Sequence, residues 1–202
     1  NGASSRFRGT CYLAYTDVLH DDRLAVVTSR DGGLTWSQPA GVAVSDAVGA
    51  FPVVQRTGTL ALLFLRAGRQ IGSAVSVDGG LTFREPVVVS EVATRPARGL
   101  RFFPLPSAGV DPAGRIWVTW HDCRFSRGCS ENSVIATWST DGRNWPPPYR
   151  VTRGRNAMLP ALGVHPTSGR LAFLYHVVRP GKLVDVELLD VLPGRAFPAP
   201  RR

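Results

Sequence analysis

Ser29-Arg30-Asp31-Gly32-Gly33-Leu34-Thr35-Trp36 returns later in the chain as Ser76-Val77-Asp78-Gly79-Gly80-Leu81-Thr82-Phe83, and once more, one residue shorter, as Ser139-Thr140-Asp141-Gly142-Arg143-Asn144-Trp145. Self-similarity of this kind outranks any local propensity as a guide to architecture. The composition of the stretch is that of a tight turn. Ser and Asp oxygens accept hydrogen bonds from turn amides, glycines such as Gly33 and Gly80 permit positive φ, and the closing aromatic (Trp36, Phe83, Trp145) folds under the bend. Asp31, Asp78 and Asp141 therefore read as structural residues, as do Ser29, Ser76 and Ser139 beside them.

Between these turns lies a second repeated element: Phe51-Pro52-Val53-Val54, then Phe103-Pro104-Leu105-Pro106, then Leu159-Pro160-Ala161-Leu162. Each is followed by a hairpin signal (Arg56-Thr57-Gly58, Asp111-Pro112-Ala113-Gly114, His165-Pro166-Thr167-Ser168-Gly169) and by a short β-branched or aromatic run over 59–65, 115–120 and 170–175. No helical periodicity of useful length interrupts them. Each repeat is expected to hold four strands: an inner one opening with Pro, a second apolar one, a third ending at the Ser-x-Asp turn, and an outer one over 86–90 or 149–152. Such a sheet cannot bury both faces alone and stacks on its neighbours. The expectation is an all-β fold, a partial β-propeller of four-stranded antiparallel blades. The chain divides into 1–48 (partial), 49–95, 96–155 and 156–202 (partial) within a single segment, 1–202.

The first two turns match in full the Asp-box motif, Ser-x-Asp-x-Gly-x-Thr-Trp/Phe, and the chain resembles the sialidase superfamily through them. The third turn departs from the motif by one position and is expected to be tighter or irregular. The resemblance implies six blades in a closed ring, of which three to four are present, and a functional face opposite the Asp boxes. It places the loops over 16–23, 66–70, 122–132 and 177–182 on that face. It further implies an exo-sialidase-type glycoside hydrolase acting on terminal acidic sugars, or an inactive remnant of one. A non-catalytic propeller module that binds glycans or protein partners is the alternative. The superfamily's Phe/Tyr-Arg-Ile-Pro strand is absent; Phe83-Arg84-Glu85-Pro86 imitates it but aligns with the turn exit Trp36-Ser37-Gln38-Pro39. None of the four tyrosines has the Glu context of a sialidase nucleophile.

The richest loop is His121-Asp122-Cys123-Arg124-Phe125-Ser126-Arg127-Gly128-Cys129-Ser130-Glu131-Asn132. Arg124 is the expected carboxylate binder, because a guanidinium matches a carboxylate bidentately. Arg127 and His121 are placed with it as substrate-binding groups, and Asp122 and Glu131 as acid/base candidates. The competing reading pairs Asp122 with Arg124 as a brace for the loop. Cys123 and Cys129 either close a small disulfide or remain free thiols, and Cys11 is expected as a buried small hydrophobe. His20-Asp21-Asp22 reads as a solvated turn; no metal or other cofactor is expected.

The remaining composition sets broad limits. A charge of +9 from 24 basic and 15 acidic residues admits carbohydrate or other anionic ligands. The arginines are scattered, with no basic helix, zinc-finger spacing or aromatic-basic motif, which argues against nucleic acid. No run approaches the ~18 apolar residues of a membrane span. The N-terminus lacks the order of a signal peptide, so the numbering is expected to begin after a processed or trimmed leader of a secreted or cell-surface protein. An incomplete ring exposes two blade faces, which a homodimer or further blades of a longer parent chain would cover.

Overall fold

The computed structural model describes residues 5–97, 102–152, 156–179 and 184–192. Residues 180–182 of the fourth expected loop, and the end of the chain beyond 192, lie outside the described residues. Four antiparallel sheets follow one another in chain order. The first holds β1 (Cys11–Asp17), β2 (Arg23–Ser29) and β3 (Ala40–Gly41). The second holds β4 (Ala47–Val54), β5 (Leu60–Arg66), β6 (Gln70–Ser76) and β7 (Val87–Glu91). The third holds β8 (Ser107–Val110), β9 (Ile116–Asp122), β10 (Ser133–Ser139) and β11 (Tyr149–Arg150). The fourth holds β12 (Ala157–Val164), β13 (Leu171–Val178) and β14 (Val184–Val191). Apart from one 3-10 turn, Arg127–Cys129, no helix occurs among the described residues.

These strands form where apolar β-branched and aromatic residues run between turn signals, and both faces of the middle sheets are covered. β5 and β9 are therefore buried almost throughout rather than alternating. Leu24, Val26, Leu60, Leu62 and Phe64 fill the space between the first two sheets. Leu63, Leu65, Ile71, Ile116, Val118, Trp120 and Ile135 fill the next, and Trp117, Val134, Leu171, Phe173 and Val177 the last. Each such side chain contributes roughly 1.5–3 kcal/mol by leaving water. At Gly72 a Cβ would stand 2.3 Å from the Phe64 ring, so only glycine lets that ring lie across β6.

Two expectations are corrected. The prolines do not open the inner strands: Pro52 lies inside β4 and Pro160 inside β12, while Pro104 and Pro106 precede β8. The β4 register shifts between Val48 and Phe51, and that of β12 between Met158 and Ala161. A bulge of this kind leaves a place in or beside it for a residue without an N–H. Cys11 is exposed, because it lies on the side of the first sheet that no other sheet covers.

The turn aromatics report the same open side. Phe83 packs between the first and second sheets and Trp145 between the second and third, each against the preceding sheet. Among the described residues no sheet packs beneath Trp36, which remains 43% exposed. At the opposite end Leu174, Val186 and Leu188 stand exposed on the outer face of the fourth sheet.

Because the strands meander, the hairpins alternate between two ends. One rim carries residues 17–23, 66–70 and 122–133; the other carries the three Ser-x-Asp turns and the hairpins at 54–60, 110–116 and 164–171.

Candidate functional site

The hairpin rim is held by backbone bonds between its hairpins and the links beside them, some within the second sheet and some crossing from one sheet to the next. Ala47 N donates to Asp22 O (3.2 Å), Ala67 N to Asp46 O (2.8 Å), Val92 N to Arg69 O (2.7 Å), Cys123 N to Ala93 O (2.7 Å) and Ala157 N to Asn132 O (2.9 Å). Six of the seven described non-glycine residues with positive φ lie on this rim or in the links entering the inner strands beside it: Asp21, Asp22, Asp46, Ala67, Cys129 and Asn156; the seventh, Leu159, sits in the bulge near the start of β12. Asp and Asn tolerate that conformation, whereas Ala, Cys and Leu hold it only where surrounding structure enforces it. Such enforced backbone gathers at functional ends of folds, which makes this rim the candidate site.

Loop 122–132 is built around the Asp122 carboxylate, which is wholly buried. Its Oδ1 accepts from Arg124 N (2.8 Å) and Nε (2.9 Å), and its Oδ2 from Arg124 Nη2 (2.7 Å), Ala93 N (3.1 Å) and Trp120 Nε1 (3.4 Å). Four of the five guanidinium N–H donors are engaged, with Nη1 on Ser90 Oγ (3.0 Å) and Nη2 also on Glu91 O. Charge-assisted bonds of this number make Asp122 and Arg124 a brace between loop 122–132 and the end of β7. A disulfide joins Cys123 to Cys129, with 4.8 Å between their Cα atoms, and Ser126 Oγ donates to Cys123 O and accepts from Glu131 N. Arg127 stands exposed on the 3-10 turn and Glu131 is half-buried; among the described residues neither side chain has a hydrogen bond or ion pair.

His121 points away from solvent toward the fourth sheet. Its Nδ1 accepts from Leu159 N (3.3 Å), its ring lies 5.0 Å from that of Phe102, and Nε2 has no partner among the described residues. Burial lowers its pKa to about 4 against the opposing charge of Asp122, so the ring is neutral. It thus fixes the bulge at Leu159.

Asn132 was not singled out by the sequence. Its Oδ1 accepts from Arg95 N (2.8 Å) and its Nδ2 donates to Arg95 O (2.7 Å), imitating a strand pair and tying link 92–97 to the loop. Tyr175 and Glu187 are a second surprise. The β13–β14 register sets them opposite one another, with Tyr175 Oη donating to Glu187 Oε2 (3.1 Å). The acidic loop at 17–23 turns inward on itself: His20 Nδ1 lies 2.7 Å from Asp17 Oδ2, and Arg23 lies 3.8 Å from Asp21.

At the other rim the three turns are near copies. Asp31 Oδ1 accepts from Ser29 Oγ (2.7 Å), Leu34 N (3.1 Å) and Thr35 N (3.0 Å), and Asp78 repeats these bonds with Ser76, Leu81 and Thr82 at the same distances. In the third turn Asp141 Oδ1 accepts from Arg143 N and Asn144 N (both 2.8 Å), one residue earlier, and Asn144 Nδ2 replaces the Thr hydroxyl on Oδ2 (2.6 Å). The shorter turn keeps its bonding by moving it one position. The Thr35 hydroxyl and amide, with Ser29, hold the Asp31 carboxyl well below its usual range. Burial opposes the same effect at Asp78 and is outweighed by Thr82 and Ser76, leaving its pKa at about 2.

No family model matches the chain. No curated protein matches it either. Several solved structures do, at low identity. A Dyadobacter fermentans protein of unknown function is 22% identical with a TM-score of 0.59, over 88% of this chain and 48% of that one. NanB sialidase from Streptococcus pneumoniae is 18% identical with a TM-score of 0.60, over 95% of this chain and 30% of that one. A leech intramolecular trans-sialidase is 15% identical with a TM-score of 0.64, over 95% and 30% respectively. Arabinanases are similar as well. These sialidases and arabinanases are β-propeller glycoside hydrolases, and the likeness is one of fold. The chain spans less than half the length of the first three.

Proposed function

We propose that the chain is a sector of a sialidase-type, Asp-box β-propeller, with blades at 1–48, 49–95, 96–155 and 156–202, that binds terminal acidic sugars on its hairpin rim without cleaving them. The observation that carries this reading is the closure of Asp122 and Arg124 on one another. An acid with no solvent-facing oxygen and a guanidinium with four of its five donors engaged stiffen a loop rather than meet a ligand. The disulfide adds to that stiffness and supports a secreted or cell-surface setting. Arg127 and Glu131 are the groups the loop presents.

Glycoside hydrolysis is the second reading, favoured by the shared fold with hydrolases and by the Tyr175–Glu187 hydrogen bond. Under it Asp122 and Glu131 act as acid and base and Arg124 grips the substrate carboxylate. A fluorogenic sialoside and 3′-sialyllactose separate the two. Saturable sialyllactose binding, weakened in Arg127→Ala, with no fluorophore release supports the binding module. Release that disappears in Glu131→Gln while the variant stays folded overturns it.

The uncovered faces at Trp36 and at Leu188 support a further part of this reading: a second copy, or more blades of a longer chain, closes the ring. A light-scattering mass equal to one stable monomer in the full-length protein, with no added blades in its reading frame, counts against it.

A further inference from the structure

The rim opposite the candidate site carries a groove of about 540 Å³ between the second and third sheets. Its walls are the hairpin after β4 (Gln55, Arg56, Thr57), the hairpin after β8 (Pro112, Ala113, Gly114) and the third Ser-x-Asp turn (Thr140, Asp141), with Val75, Val77 and Arg84 between them. Its floor is rigid, because the buried Gln55 side chain donates through Nε2 to both Gly114 O (2.6 Å) and Thr140 O (2.9 Å).

Its charge is unbalanced. Among the described residues the side chains of Arg56 and Arg84 make no hydrogen bond or ion pair. Asp141, the only carboxylate among its lining residues, is committed to its own turn through Ser139, Arg143 N, Asn144 N and Asn144 Nδ2. Arg6 adds a third guanidinium at the margin, donating to Val77 O at 3.0 Å.

The neighbouring groove shows how this fold otherwise treats such a position. Between the third and fourth sheets, Asp111 occupies the place that Gln55 holds in the second sheet: each closes its hairpin from the first strand, Gln55 N to Thr59 O and Asp111 N to Arg115 O. There the buried Asp111 carboxylate takes Arg115 Nε at 2.6 Å, and the guanidinium lies over Trp117 and Trp138. In the second sheet a neutral amide replaces that carboxylate, and the arginines stay uncompensated.

We propose that this groove is an anion-binding site for the carboxylate or sulfate group of an acidic oligosaccharide, gripped by Arg56 and Arg84, with the Thr57 and Thr59 hydroxyls and the Pro112–Ala113 wall against the sugar ring. Guanidiniums match planar oxyanions, and a mixed polar and apolar lining suits a pyranose. It is separate from the hairpin rim and does not depend on it.

The test is isothermal titration of the full chain with a heparin tetrasaccharide, 3′-sialyllactose and sodium sulfate at low salt. Saturable binding of at least one oligosaccharide is expected, weakened tenfold or more when Arg56→Ala/Arg84→Ala is introduced, with or without Arg127→Ala to silence the opposite rim, and unchanged in Arg30→Ala, an exposed arginine of the first Ser-x-Asp turn. The heparin and sialyllactose arms tell sulfate from carboxylate recognition. Equal binding by the folded double variant overturns the proposal, as does the same loss in Arg30→Ala, which marks diffuse attraction to net charge. Sulfate binding as tight as either oligosaccharide reduces the site to a simple ion site and overturns the sugar assignment.

Discussion

Arg124 Nη2 and Asp122 Oδ2 meet at 2.7 Å, with the carboxylate wholly buried and the guanidinium side chain 30% exposed. The pair is local in sequence, yet what it joins is not: Arg124 also reaches Ser90 and Glu91, and Asp122 reaches Ala93, so two segments some thirty residues apart close through one ion pair.

Removing one partner leaves a buried charge without compensation. Arg124→Ala is expected to lower unfolding stability by about 3 kcal/mol, and Asp122→Ala/Arg124→Ala by less than the sum of the two single changes. Urea unfolding of the three variants measures this; single-variant losses under about 0.5 kcal/mol would mean that the brace contributes nothing.

The neutral His121 makes stability sensitive to mild acid. Its folded pKa of about 4 lies below the ordinary 6.5, so the unfolded chain takes up the proton first. Its contribution is complete above pH 6.5 and declines as pH falls toward 4, by up to about 3 kcal/mol. His121→Asn retains an acceptor near the Nδ1 position and is expected to flatten the melting temperature between pH 7 and 5; an unchanged slope excludes His121 as its source.

The Ser-x-Asp turns act in a lower window. Asp78 is depressed from 3.8 to about 2, so its stabilisation is present above pH 4 and is lost as pH falls through 2. Asp78→Asn should remove part of the wild-type acid transition below pH 4. Asp78→Ala, which strips acceptors from Ser76, Leu81 and Thr82, should cost about 1–3 kcal/mol at pH 7. Melting curves at both pH values check the pair of outcomes.

The disulfide spans a separation of six residues, and a ring this small restricts the unfolded chain by about 2 kcal/mol in the chain-entropy account. Cys123→Ser/Cys129→Ser is expected to lose that much stability and to speed proteolysis within 124–131 while the sheets persist. Cleavage spreading at once to the strands would show that the bridge holds more than its loop.

Much of the architecture was legible because turns and strand patterns are local. The match from Ser29 to Trp36 and from Ser76 to Phe83 repeats as bonds of equal length, and the shorter third turn kept its chemistry by a shift its residues did not announce. The strands lay where β-branched and aromatic runs between turn signals put them, within a residue or two at most ends. Pro52 and Pro160 misled at strand starts because a bulge accommodates proline inside a strand, and bulges depend on the partner strand's register.

The candidate site was legible only as a collection of residue types. That Asp122 faces Arg124 rather than solvent, that Asn132 pairs with the backbone of Arg95, and that Glu187 lies opposite Tyr175 all depend on which strands are neighbours. Sequence alone determined the repeated turns, the strand-rich course of the chain and the two ends to which its hairpins go, since each is set by a few adjacent residues. Tertiary structure alone decided which charges are satisfied, because a guanidinium finds its acceptor through the stacking of sheets. Among the described residues it leaves Arg56 and Arg84 unpaired while the neighbouring groove neutralises Arg115.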